Sequence, residues 1–201
     1  MSQPQLLQIA LDPQDIVFTP DWVASDMVSF FQPSGVILDP CKGEGVFLKY
    51  LPPAEWCEIR EGKDFFAWHK SVDWVFGNPP FATLNDWLSH GFEISNNVVY
   101  LLPLLTLWNS IARINKILEY GGLVHTRAYG NGALFGKKYG YAIGAVHFQK
   151  GYSGGMSLSS AALPSNKRLH HDVGDSPAPQ SLFTPEADTA EGKLSAPAPR
   201  R

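Results

Sequence analysis

Apolar and polar positions along residues 18 to 150 switch between a period near two and a period near 3.6, which divides this part of the chain into short strands separated by helical stretches. Thr19-Pro20-Asp21 predicts a helix start, with Thr19 as N-cap and Pro20 in the first turn, where its missing N–H costs nothing. That helix is expected to run to about Phe31 and to turn Val23, Met27 and Phe30 to one side. Val36 to Leu38 predicts a short buried strand, followed by a glycine-bearing turn and a helix beginning near Gly45. Trp56 to Ile59, Asp73 to Gly77 and Val98 to Leu102 predict further strands, while Leu84 to Phe92 and Ser110 to Tyr120 predict helices, the second stopped by Gly121-Gly122. Leu123 to Ala128 and Ala142 to Gln149 are expected to close the sheet as an antiparallel pair. Strands alternating with helices indicate an α/β domain on a mainly parallel sheet, with no internal repeat.

Composition changes the picture at one place. From about Gly151 the chain turns to Ser, Ala, Pro and Gly, which cannot bury enough apolar surface to offset its ordering entropy, so 1–150 is expected to be the folded domain and 151–201 a disordered, low-complexity tail. The longest apolar run, Val98 to Trp108, is interrupted by Pro103 and is too short to span a bilayer, so no membrane role is expected. Cys41 and Cys57 lie too far apart for a close-set metal pair; both are expected to be free thiols in a cytoplasmic protein, that of the host cell if the chain is viral, and no metal is expected. A net charge of -3 argues against a general attraction for polyanions, leaving Arg127, Lys137, Lys138 and Lys150 as the cations able to gather around one mouth.

Asp39-Pro40-Cys41-Lys42-Gly43-Glu44-Gly45-Val46-Phe47 places an acidic residue at a strand end and two glycines after it. Glycine lets the backbone pass close to a ligand, and the carboxyl edge of the sheet supplies a crevice, so the stretch suits a nucleotide-like site; the same residues also serve as a plain tight turn. No Gly-Lys-Ser/Thr triplet follows and a third glycine is missing, which favours a nucleoside with a charged amino-acid end over a phosphate ligand. Glu58 is placed to accept from ribose hydroxyls, and Asp64 from an adenine amino group with Phe65 against the ring.

Asn78-Pro79-Pro80-Phe81, at the end of an expected strand, is the most specific feature. The prolines fix the backbone so that the Asn78 amide and the Pro79 carbonyl point in set directions, and an aromatic ring follows. An amino nitrogen conjugated to a ring attacks a methyl sulfonium poorly; two acceptors gripping its two hydrogens push it toward tetrahedral geometry and aim its lone pair. Phe81 is able to stack on a flat base. Asn-Pro-Pro is also, in isolation, simply a turn.

With these motifs the chain resembles, over roughly residues 15 to 150, the N6-adenine methyltransferases of the seven-strand Rossmann-like class, as a short bacteriophage-type member. The resemblance implies a mostly parallel seven-stranded sheet with an antiparallel last strand and helices on both faces, and S-adenosylmethionine as cofactor. It implies that the helix from Thr19 and Pro20 flanks the methionine portion of the cofactor, that Asp39, Pro40, Gly43, Gly45 and Phe47 wrap it, that Glu58 holds the ribose, and that Asp64 and Phe65 contact the adenine. Asn78, Pro79, Pro80 and Phe81 become the catalytic residues, with Phe81, Arg127, Lys137 and Lys138 toward the substrate. The expected partner is DNA, with RNA the nearest rival; a non-catalytic nucleic-acid-binding subunit that keeps the fold is the rival of another class, and protein side-chain methylation a weaker one. Members of that family usually carry a separate target-recognition region, so recognition is expected from the loop between about Tyr129 and Tyr141, from a partner in a homodimer, or to be weak.

Overall fold

A computed structural model of the chain describes residues 18–135 and 142–161. The described elements in chain order are helix α1 (Asp21–Phe31), strands β1 (Ile37–Asp39), β2 (Glu55–Trp56) and β3 (Val72–Gly77), helix α2 (Leu84–Ile94), strand β4 (Ser95–Pro103), helices α3 (Leu105–Trp108) and α4 (Ile111–Tyr120), and strands β5 (Gly121–Asn131), β6 (Ala142–Lys150) and β7 (Ser157–Ser160). They build one seven-stranded sheet in the order β2-β1-β3-β4-β6-β5-β7. Every neighbouring pair is parallel except β4 with β6 and β5 with β6. The strand that runs against the rest is β6, the closing strand expected over Ala142 to Gln149; it is not the last in the chain because β7 follows it.

Successive residues of a strand face opposite sides, so a strand that is apolar throughout feeds two cores. β4 does this: Val98, Tyr100 and Leu102 join the core under α2 and α4, whereas Val99 and Leu101 join the core under α1. Leu38 and Ile37 divide in the same way, as do Val75 and Phe76. α1 buries Val23, Ala24 and Met27 on its face. It is also tied to the sheet by charge, since Arg127 of β5 donates from Nε and Nη2 to the Asp26 carboxylate at 2.6 and 2.7 Å, and the Tyr129 hydroxyl donates to the same carboxylate at 2.7 Å. The Phe30 ring lies 4.1 Å below the guanidinium.

Three expectations are corrected. The helix near Gly45 is only a 3-10 turn, Phe47–Lys49. Gly45 has a left-handed φ of +76°, and Pro52-Pro53 follows closely, so too few residues remain to nucleate a helix. Thr19 is not the cap of α1: the N-cap is Pro20, whose carbonyl accepts from Val23 and Ala24, and the Thr19 side chain is engaged elsewhere. Lastly, the stretch expected to be tail contributes β7, which pairs with β5 from His125–Ser157 to Ala128–Ser160. Its serine hydroxyls meet the His125 ring, Ser157 at Nδ1 and Ser159 at Nε2, and Ser159 also accepts from Arg127 at 3.3 Å. The rest of that stretch, 162–201, lies outside the described residues.

Candidate functional site

The chain leaves β1 for the sheet edge at β2 and returns to β3 on the other side of β1, so the strand order reverses between β1 and β3. A crevice forms beyond the carboxyl ends of two strands whose connections part in this way. Asp39 ends β1 and Asn78 follows the last residue of β3, which brings the two most specific sequence features to one place.

On the β1 side, the turn is held by main-chain bonds to the segment after β2: Cys57 N–H donates to Asp39 O at 2.8 Å and Lys42 N–H to Cys57 O at 2.9 Å. Gly43 and Gly45 both have left-handed φ, and a Cβ on Gly43 would meet no atom within 4 Å, so the backbone there faces open space. The Asp39 side chain is fully buried. Its Oδ1 accepts from Cys41 N–H at 3.1 Å, and its Oδ2 has no partner among the described residues. Burial pushes the carboxyl up to about 7, against the Cys41 N–H, with the Glu58 charge adding to the rise and Lys42 opposing it. A buried acceptor without a donor marks a place for a ligand donor. Glu58 reaches the same turn, accepting from Gly43 N–H at 3.0 Å and from Arg60 N–H at 3.1 Å. Asp64 stands half-buried at the head of the next turn and accepts from Phe66 N–H at 3.0 Å.

On the β3 side, Gly77 abuts the β1 turn so closely that a Cβ would lie 2.9 Å from Pro40 Cδ and 3.1 Å from Asp39 Oδ1. Asn78 Nδ2 donates to Thr19 Oγ1 at 3.0 Å, and the Cys41 thiol donates to the Asn78 main-chain oxygen at 3.2 Å. Burial, and then the Asp39 charge, push the Cys41 thiol well up, so it stays protonated and serves as a donor. Pro79 is buried, and Pro80 and Phe81 are half-buried, Phe81 against the core under α2.

Not every candidate reaches this crevice. Phe65 is buried and stacks on Trp87 with centroids 4.8 Å apart and planes at 11°, so its face is not offered to a ligand; Phe66 beside it is the exposed ring. Phe47 is buried too, edge-on to Phe76 at 5.6 Å, and supports the glycine turn from the α1-side core. Arg127 is committed to Asp26. Lys150 pairs with Gly121 at the opposite end of the sheet from Asn78. Lys137 and Lys138 lie outside the described residues. One feature unforeseen in the sequence is Trp56 at the end of β2, with Lys42 Nζ 3.9 Å and Lys63 Nζ 3.3 Å from its ring centroid, and Lys42 paired with Glu61 at 2.7 Å. The Thr19 and Cys41 bonds to Asn78 were equally unforeseen, because no spacing along the chain reports a contact between separate turns.

Solved structures share this fold. A Listeria monocytogenes protein assigned to the class I S-adenosylmethionine-dependent methyltransferases aligns with a TM-score of 0.52 at 13% identity, over 71% of this chain and 65% of the other. The type I restriction-modification methyltransferase subunit from Streptococcus thermophilus aligns at 0.51 and 15% identity, over 72% and 47%, and the M protein of the type I restriction enzyme EcoKI at 0.50 and 13%, over 66% and 44%. The fold is that of class I methyltransferases. The chain spans about half the length of the type I subunits it matches. No family model matches the sequence, and no curated protein does. Among the described residues of this methyltransferase fold no helix is long and apolar enough to cross a membrane, and no group of three His, Cys, Asp or Glu side chains is able to hold a metal ion. Both cysteines are free thiols.

Proposed function

We propose that this chain transfers a methyl group from S-adenosylmethionine to an exocyclic amino group, N6 of adenine in DNA. The observation that carries the reading is the placement of Asn78-Pro79 at the carboxyl end of β3, directly beside the Asp39 turn at the carboxyl end of β1. The residues fit the cofactor: Asp39 offers a buried acceptor oxygen, Gly43 and Gly45 leave room for close approach, and Glu58 reaches the same turn at Gly43. When bound, S-adenosylmethionine supplies a methyl group on a positively charged sulfur.

The protein's own share is orientation and dipoles. The Asn78 amide oxygen and the Pro79 carbonyl accept the two hydrogens of the substrate amino group, which localises the nitrogen lone pair and stabilises the positive charge that grows on nitrogen during transfer. Phe81 stacks on the base, which offsets part of the cost of unstacking a nucleotide from a duplex. No side chain with a tuned pKa is needed, since the methylated nitrogen turns acidic and loses a proton to water. Target recognition is assigned to the connection between β5 and β6, whose flanks, Asn131 and Ala142, stand at the sheet edge that carries Asn78, or to a second subunit. With a net charge of -3, the cations of that connection, Lys137 and Lys138, matter more to nucleic-acid affinity than overall charge.

Incubating the purified chain with labelled cofactor and DNA or RNA of defined sequence, followed by nucleoside mass spectrometry, tests the reading; N6-methyldeoxyadenosine is the expected product, and methylated adenosine only would move the substrate to RNA. Asn78→Ala should keep cofactor affinity in calorimetry while the transfer rate falls roughly 10²- to 10³-fold. Equal loss of binding and rate would make Asn78 structural, and a wild type that binds no cofactor would point to a non-catalytic nucleic-acid-binding subunit.

A further inference from the structure

We propose that Thr19 and Cys41 are positioning residues that clamp Asn78, one by its side chain and one by its main chain, and so aim both acceptors at the substrate amino group; this rests on the methyl-transfer reading above. The Thr19 hydroxyl takes a hydrogen of Nδ2 at 3.0 Å across 59 residues of sequence. An asparagine amide otherwise turns about its last torsion, so this bond fixes the plane in which Oδ1 lies. Thr19 is itself held, because Pro20 behind it starts α1, and α1 is anchored by the burial of Val23, Ala24 and Met27 and by the Asp26 bonds to Arg127 and Tyr129.

Cys41 acts on the other acceptor. Its thiol donates to the oxygen of the Asn78–Pro79 peptide group at 3.2 Å. Fixing that plane orients the Pro79 ring, and because proline locks φ, only one torsion then remains to direct the Pro79 carbonyl. Cys41 is rigid as well, lying between the buried Asp39 and Pro40 and the Gly43 turn. The start of α1 and the glycine turn thus hold the reacting geometry in addition to whatever they contribute to the cofactor.

The test compares Thr19→Val, Thr19→Ser, Cys41→Ala and Cys41→Ser in the full chain. The clamp requires Thr19→Val and Cys41→Ala to lower kcat by about tenfold each, the loss expected when the roughly 1.4 kcal/mol of one neutral hydrogen bond no longer holds the acceptors in the reacting geometry, with cofactor Kd and substrate KM unchanged and with the serine variants restoring most of the rate. A Thr19→Val protein with a raised cofactor Kd and unaltered kcat overturns the proposal and makes Thr19 a cofactor contact. Equal loss in the serine variants overturns it in favour of packing. The side-chain amide of Asn78, followed by NMR in labelled protein and assigned with Asn78→Ala, decides without turnover: its two hydrogens should show slow exchange that Thr19→Val abolishes, and unchanged exchange sinks the clamp. A wild type that transfers no methyl group while the amide behaves as stated would fail the functional reading alone.

Discussion

The buried Asp39 and the half-buried His147 are shifted in opposite directions and make opposed contributions to stability, so removing either one should unmask the other. Burial lifts Asp39 from its ordinary 3.8 to about 7, and burial, with a smaller push from His125, lowers His147 from 6.5 to about 4. His147 stacks on Trp74 at 5.1 Å, and its Nε2 bonds Asn97 Oδ1 at 3.0 Å. A raised carboxyl favours the folded state at low pH and loses that advantage as pH climbs from about 4 to 7, a change of about 4 kcal/mol. A depressed imidazole does the reverse, destabilising the fold at pH 4 and ceasing to do so by 6.5, about 3 kcal/mol. Between these limits the unfolded chain carries a proton on His147 and the folded chain one on Asp39, so proton uptake balances and the pair leaves no slope. Asp39→Asn keeps an acceptor for Cys41 N–H and should make stability rise with pH by about 1.4 kcal/mol per unit relative to wild type, and His147→Gln should make it fall as steeply. Urea unfolding at intervals from pH 4.5 to 6.5 measures both, and the other titrating groups enter all three proteins alike. Parallel curves for wild type and Asp39→Asn would refute the raised Asp39 carboxyl.

Arg127→Ala should lower stability by about 2 kcal/mol in urea unfolding, since the half-buried Asp26 carboxylate loses a bidentate partner. The slope of nucleic-acid binding against salt should not change; a slope smaller by about one would make Arg127 a phosphate contact after all. Gly77→Ala drives a methyl into Pro40 and Asp39, neither able to swing aside, and should cost about 1 to 3 kcal/mol in thermal melts together with most of the transfer rate. Wild-type values in both assays would show that the two turns have slack.

Where a single element carries its own pattern, the sequence was readable. The apolar run Val98 to Leu102 became the centre of β4, Ser110 to Tyr120 became α4 with Ser110 as its cap, and the strand before Asn78 ended at Gly77 as expected. Readability failed where partners from elsewhere decide. β7 is Ser-Leu-Ser-Ser, a composition that reads as linker, and it is a strand because β5 offers an edge and His125 and Arg127 offer bonds to its hydroxyls. In the same way, Asp39 and Asn78 stood out by motif, whereas the commitment of Arg127 to Asp26 spans 101 residues and Phe65 was drawn under Trp87 by packing. Motifs pointed to Asp39 and Asn78, which the fold brings to one place; they carried no information on which cations and rings the fold had already engaged.

The late strand also bears on how the protein tolerates shortening. A chain cut after Lys150, where composition alone would set the boundary, strips β5 of its outer neighbour from His125 to Ala128 and makes the eleven-residue β5 the bare rim of the sheet. A longer rim is the better template for self-association, so the shorter polypeptide would clump more readily than one ending beyond Ala161, whose edge is the four-residue β7.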